Sequence, residues 1–279
     1  MDEWGARIDT GELRYAILDP TGNITALVES DVRIDDQPAA ARAIMRRHPL
    51  VEQVGFVSYE HDGHVAHMRM AGGEFCGNAT MSTAALCLLR LRETCDAETS
   101  VPVRVWGIEE PVEVRLQLCE NGGFRGGVHM PAAYGVEVCS LSSGLLSGQL
   151  PLVRMAGISH LVIELDSVFQ ELRSDGAAAE TAVRAWCAEL ETDGLGLMFM
   201  GQDDQGLTLT PLVYVPGGDT VFWENSCASG TSAVGIYLAT KAGAPVDVTL
   251  REPGGCLRVT SDPAGGETWL YGSVQMTKA

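Results

Sequence analysis

The sequence predicts an α+β protein of two pseudo-symmetric lobes, each a layer of strands wrapped around one central helix. Three observations predict it. Short apolar and β-branched runs recur through the 279 residues, separated by turn sequences rich in Gly, Pro, Asn and Asp. Residues 80–91 and 229–241 carry small and apolar side chains almost all round, as a helix buried on every side requires. Each of these segments follows a cysteine, Cys76 or Cys227, and the two cysteines stand half a chain apart, with strands before and after each. The lobes are placed at 1–135, carrying Cys76, and 136–279, carrying Cys227, with the active site expected in a cleft between them.

Taken in order, residues 13–18 and 24–29 read as strands joined by the turn Asp19-Pro20-Thr21-Gly22-Asn23. Residues 37–48 carry Ala39, Ala40, Ala43, Ile44 and Arg46 and stop at Pro49, which predicts a helix. Strands at 51–59 and 65–70 flank a turn at His61-Asp62-Gly63, and the first buried helix follows. Strands at 101–106, 112–118 and 126–130 complete the first half, and 131–148 reads as a loop-rich stretch. The second half repeats the order. Strands at 152–155 and 160–165 precede a helix at 177–191, then come strands at 195–200 and 207–215. The second buried helix and strands at 246–250, 257–260 and 268–274 close the chain.

Composition narrows the function classes. Hydrophobic residues make up 46% of the chain and charged residues 20%, enough for a sizeable core. A net charge of -18 argues against nucleic acid as a partner and leaves a small anionic substrate open, because local geometry outranks net charge. No apolar run approaches the roughly 20 residues that cross a bilayer, and the polar start MDEWGARIDT lacks the chemistry of a secretion signal. A cytoplasmic protein with no membrane partner is expected. Eight cysteines in a chain of this length read as buried or reactive thiols, and Cys87 and Cys187 fall inside helical patterns as core. No Cys/His spacing suits zinc, so no metal and no cofactor are expected, and assembly as a homodimer is left open.

The chemistry lies in residues 72–85 (GGEFCGNATMSTAA) and 224–233 (ENSCASGTSA). A helix N-terminus carries partial positive charge and unpaired N–H groups. A cysteine there is expected to ionise more easily, and the N–H groups beyond it can hold a carboxylate. Two such ends would hold one amino-acid carboxylate with a sulfur on either face of its α-carbon. That suits racemisation without a cofactor: one thiolate takes the α-proton while the other thiol delivers a proton to the opposite face. The N–H groups would stabilise the enolate-like charge. Gly77, Ala79, Ala228 and Gly230 permit close backbone approach. A single cysteine before a helix is more often structural; the pair at half-chain spacing tips the balance.

These residues carry a resemblance. Phe75 to Thr80 (FCGNAT) and Cys227 to Thr231 (CASGT) resemble the diaminopimelate epimerase superfamily of cofactor-independent racemases and epimerases. Pro20 to Thr25, Glu52 to Phe56, Glu74 to Ser82, Trp223 to Cys227 and Pro253 to Gly255 are similar to its histidine racemase branch, which supplies D-histidine for opine metallophores of the staphylopine type. The resemblance implies the diaminopimelate epimerase-like fold and assigns Cys76 and Cys227 as the two catalytic bases. It implies that Asn23 and Gln53 line the substrate pocket and that Gly77, Asn78, Ala228, Ser229, Gly230 and Thr231 form the carboxylate-binding helix starts. Glu224 and Asn225 read as contacts for the substrate ammonium or side chain, although Glu224 reads equally as a solvated loop carboxylate.

Departures from diaminopimelate epimerase disfavour its two-headed substrate. Gly217-Gly218-Asp219 stands where that family has a Glu-Arg pair, and Met70 stands near where it has an asparagine. His160 reads as a satisfied structural histidine, and the direction of His67 is open. Rival readings are an epimerase or racemase of another amino acid such as diaminopimelate, an isomerase of the phenazine type, and a non-catalytic amino-acid-binding protein. Cys227 counts against the phenazine-type reading, and retention of both cysteines counts against the binding protein.

Overall fold

The computed structural model describes residues 5–8, 11–60, 64–91, 97–264 and 266–277. The expected turn at His61-Asp62-Gly63, and Cys95, lie outside the described residues. The chain forms two units, Met1–His129 with Tyr271–Ala279, and Met130–Leu270.

In the first unit, β1 (Gly5–Ile8) and β2 (Gly11–Pro20) pair antiparallel. The chain then turns through Thr21 and Gly22, both at positive φ, into β3 (Thr25–Val28). Helix α1 (Gln37–Arg47) has proline in its first turn, where no N–H is needed, and Arg46 and Arg47 in its last, where cations meet the negative end of the dipole. Its apolar face, Ala40, Ala41 and Ile44, belongs to one core with Tyr15, Val28, Val54 and Phe56. The crossover places β4 (Gln53–Tyr59) parallel to β3. Strand β5 (Ala66–Met70) returns antiparallel, and helix α2 (Gly77–Leu91) carries the chain to β6 (Thr99–Val105), parallel to β5. β7 (Val112–Leu118) and β8 (Phe124–His129) follow as an antiparallel meander.

α2 packs against β2, β3, β5, β6, β7 and β8. Every residue from Gly77 to Leu88 is buried, which is why this helix shows no polar face in the sequence. Its small residues let strands approach from all sides.

The second unit opens with a hairpin, β9 (Gly135–Ser143) and β10 (Leu146–Arg154), where the sequence predicted loop from 131 to 148. Along β9 only Leu141 is buried, so the strand lacks the alternation that betrays a half-buried edge. Its register comes from a tight turn at Gly144 and Leu145, with Gly144 at φ 60°. β11 (Ser159–Ile163) pairs with β10, and α3 (Gly176–Glu189), capped by the Asp175 carboxylate on Ala178 N–H, leads to β12 (Leu195–Asp203), parallel to β11. β13 (Gly206–Val215) is antiparallel to β12, and the short β14 (Thr220–Trp223), which the sequence did not announce, adds to it. Helix α4 (Ala228–Ala242) then crosses to β15 (Val246–Glu252), parallel to β13, before β16 (Gly255–Ser261) and β17 (Thr268–Met276).

α4 packs against β9, β10, β11, β12, β15 and β16, and all of Ala228 to Gly235 is buried. The order and directions of β10-β11-α3-β12-β13-α4-β15-β16 repeat those of β2-β3-α1-β4-β5-α2-β6-β7, so the expected internal repeat and α+β class are present. The units divide differently from the 135/136 boundary expected above. The end of β17 rejoins the first unit, where Val274 to Met276 pair with Leu18 to Pro20 and β17 also pairs with β8, completing its ring of strands.

Under α3, Trp186 is fully buried, meets Phe169 edge-on at 5.1 Å and donates its Nε1 hydrogen to Ser142 O at 2.8 Å. Trp186→Ala is expected to cost about 3–5 kcal/mol by emptying this site. Chemical denaturation followed by fluorescence measures it, and an unchanged midpoint would remove Trp186 from the core account.

Candidate active site

In the first unit Cys76 stands immediately before α2, and the helix starts at Gly77, three residues ahead of the predicted start. Its carbonyl accepts from Thr80 N–H at 3.0 Å and from the Thr80 hydroxyl at 2.7 Å, fixing the main chain on which the thiol is mounted. The sulfur accepts from Ala79 N–H at 3.4 Å and donates to Gln53 Oε1 at 3.1 Å. Gln53 is held in turn: its Nε2 donates to Asn23 Oδ1 at 2.5 Å and Thr25 Oγ1 at 2.8 Å. Asn78 Nδ2 donates to Asn23 Oδ1 at 3.2 Å, and Asn23 Nδ2 donates to Glu52 Oε2 at 2.6 Å. Cys76, Gln53, Asn23 and Asn78, four of the predicted site residues, therefore form one connected polar cluster. Thr25 and Glu52 complete it and were not predicted, although both flank predicted positions in the sequence.

In the second unit Cys227 is the N-cap residue of α4, and its sulfur accepts from Gly230 N–H at 3.3 Å. The Ser229 hydroxyl lies 3.7 Å from the same sulfur, and Thr231 N–H donates to Cys227 O at 2.8 Å. Gly230 has no room for a side chain: a Cβ there would sit 2.1 Å from Met198 Sδ and 3.1 Å from Cys227 Sγ. Ala228, Ser229 and Thr231 are buried around it, and Ala228 O accepts the Ser232 hydroxyl at 2.8 Å. Asn225 lies exposed, its carbonyl accepting from Gly254 N–H at 2.7 Å.

Glu252 is the residue the sequence reading missed. Its Oε2 accepts from Cys227 N–H at 2.8 Å and its Oε1 from the Thr231 hydroxyl at 2.5 Å. It is buried, and among the described residues no cation pairs with it. Burial pushes its carboxyl up to about 8, against the pull of these two hydrogen bonds. The available signal was a glutamate directly before Pro253-Gly254-Gly255, a stretch already noted for its resemblance.

The electrostatics of Cys227 differ from expectation. The helix start was expected to favour its thiolate. Instead burial pushes the thiol well above its ordinary range, with the charges of Glu224 and Glu252 and a hydrogen bond to Glu224 acting the same way; only Gly230 N–H opposes them. A helix end offers about half a charge, which two nearby carboxylates and desolvation outweigh. Glu224 thus bears on the thiol directly. His160 also departs from expectation: it is fully buried with neither ring nitrogen hydrogen-bonded, and burial lowers its pKa to about 3, so it is neutral. His67 is exposed and lies 3.4 Å from Glu60. Cys87 and Cys187 are buried core residues as expected, and among the described residues no group of side chains could hold a metal.

Comparison with known proteins places the chain in a family. The histidine racemase CntK N-terminal domain matches residues 12–276. The chain belongs to the histidine racemase family. A histidine racemase of Staphylococcus aureus (strain Mu50) is 31% identical over 272 residues, covering 94% of each chain. One from Fusobacterium nucleatum subsp. nucleatum is 31% identical over 241 residues, covering 81% of each. Among solved structures, a probable proline racemase from Agrobacterium radiobacter K84 has a TM-score of 0.69 at 13% identity, covering 95% of this chain and 91% of its own. A hydroxyproline epimerase from Agrobacterium vitis has a TM-score of 0.64 at 15% identity, covering 95% and 89%. These two share the fold. As a member of its family the protein is an isomerase, an amino-acid racemase, and among the described residues no helix is long and apolar enough to cross a membrane.

Two outcomes follow from the Cys227 end. Glu252 holds its proton more tightly folded than unfolded, so its contribution to stability is present below about 4.5 and is lost as pH rises through about 8. Melting temperatures across that window should fall for the native protein and fall less for Glu252→Gln; parallel curves would contradict the buried-carboxyl assignment. Gly230→Ala should lose about 1–3 kcal/mol through overpacking against Met198, and an unchanged melting temperature would show that the contact relaxes freely.

Proposed function

We propose that the protein interconverts L- and D-histidine without a cofactor, with Cys76 and Cys227 as its acid–base pair. One observation supports this most: each cysteine opens a helix whose first two turns are buried, with a first-turn N–H group directed at its sulfur. The mechanism follows from that chemistry. One thiolate removes the α-proton, the other thiol protonates the opposite face, and the roles exchange for the other enantiomer. Gly77 and Asn78 at one helix start, and Ala228, Ser229, Gly230 and Thr231 at the other, bind the substrate carboxylate through main-chain N–H groups, where charge grows as the carbanion takes enolate character.

Gln53, anchored by Asn23 and Thr25, orients the Cys76 sulfur through the 3.1 Å hydrogen bond. Glu224 and Asn225 contact the substrate ammonium or side chain. Histidine as substrate draws on the histidine racemases at 31% identity. The branch resemblance extends the proposal to D-histidine supply for an opine-type metallophore. Two reduced thiols suit a reducing compartment, in keeping with a cytoplasmic setting.

Purified protein incubated with single L-amino acids, without added cofactor, should form the D-enantiomer fastest from histidine, read by chiral chromatography. Faster turnover of another amino acid would replace histidine as the substrate. Cys76→Ser and Cys227→Ser should each lower racemisation by at least about a thousandfold, since a serine hydroxyl is a far weaker acid than a thiol. Full activity in either variant would refute the pair.

A further inference from the structure

We propose that Glu252 is a positioning residue for the reaction: it mounts Cys227 and sets the order in which that thiol gains and loses its proton. This rests on the reading of Cys227 as a catalytic thiol. The geometry is specific. The two oxygens of one buried carboxylate divide their duties, Oε2 taking the main-chain N–H of Cys227 and Oε1 the hydroxyl of Thr231, one helical turn further on. Glu252 thereby ties the end of β15 to the first turn of α4 and fixes the direction of the cysteine.

A buried carboxyl with two donors and no paired cation, when it ionises, places its negative charge in a medium that screens poorly. The groups facing it are few. Cys227 approaches from α4, and Glu224, which also acts on the thiol, from the segment after β14. Among its strand neighbours, Arg251 is engaged by Asp203 and Gln205, and Arg258 of β16 by Asp247. His160 of β11 is neutral, and Met198 of β12 is the apolar wall beside Gly230. Tyr237 and Lys241, further along α4, pair with Glu164 of the loop after β11. Among the described residues no positive charge is left to let Glu252 and a Cys227 thiolate coexist cheaply.

The two groups therefore titrate as a coupled pair that prefers a single negative charge. While Glu252 is ionised, Cys227 is held as the thiol, the form that donates a proton to the carbanion. When Glu252 carries a proton, Cys227 can stand as the thiolate, the form that abstracts one. The elevated carboxyl pKa places that exchange in the working range of an enzyme at neutral pH.

The test reads Cys227 itself. Thiolate absorbance is titrated in Cys76→Ser protein, with the Cys76→Ser, Cys227→Ser protein subtracted. Glu252→Gln keeps two hydrogen-bonding atoms and loses the charge, and should bring Cys227 thiolate formation down by at least about one pH unit, tenfold in proton affinity. The falling limb of the kcat/KM profile of Glu252→Gln in otherwise native protein should move the same way. An unshifted thiolate titration would overturn the proposal.

Should Glu252→Gln fail to fold, Thr231→Val gives the second reading. It strips a donor from the carboxylate, so Glu252 keeps its proton to higher pH and thiolate formation at Cys227 should move downward; no shift or an upward one would overturn the proposal. Because the titration reads the thiol and not turnover, it stays decisive even if Cys227→Ser proves active, a result that would defeat only the catalytic reading.

Discussion

The structure depends on a constraint that recurs in both units: a helix wrapped by strands on every side must be built from small and apolar residues. Along Gly77 to Leu88 and Ala228 to Gly235 every residue is buried, and the polar side chains there are short ones: Asn78, Thr80, Ser82 and Thr83 in one helix, Ser229, Thr231 and Ser232 in the other. The unpaired N–H groups of the first turn are then a fixed polar feature that such a helix offers. A cysteine placed there has its sulfur met by main-chain donors, Ala79 N–H for Cys76 and Gly230 N–H for Cys227. The fold thus supplies two thiols with preset directions before any side chain is added to tune them.

The tuning differs between the two ends. Cys76 meets a neutral partner, the Gln53 amide, steadied by Asn23, Thr25 and Asn78. Cys227 is buried beside two carboxyl groups, Glu224 and Glu252, and burial together with their charges holds it protonated. A racemase must handle two enantiomers that differ only in which face carries the hydrogen, and nothing requires its two acids to be alike. If the two thiols act as the proposed acid–base pair, their unlike surroundings would give the resting enzyme a preferred proton distribution.

Much of this was legible in the sequence because burial on all sides leaves a compositional mark. Both central helices, both cysteines and the alternating strands around them could be read from periodicity and turn chemistry. What escaped had no such mark. β9 is mostly exposed and held by its hydrogen-bond ladder with β10, so no alternation announced it. β14 is a short addition to β13, and β17's return to β2 is a long-range pairing that local pattern cannot encode. Glu252 looked like an ordinary charged residue beside a Pro-Gly-Gly turn, because its burial depends on packing against α4. The same packing reversed the expected ease of ionisation at Cys227, which the helix end alone would have favoured.

The central claim is that two different groups handle the proton on the two faces of the α-carbon. It is tested most directly by L-histidine racemisation in deuterium oxide, followed at early turnover by mass spectrometry and chiral separation. With two bases, the D-histidine formed should carry deuterium at the α-carbon while the recovered L-histidine keeps hydrogen. D-histidine that retains the original hydrogen would mean that one group removes and returns the same proton, and would contradict the account.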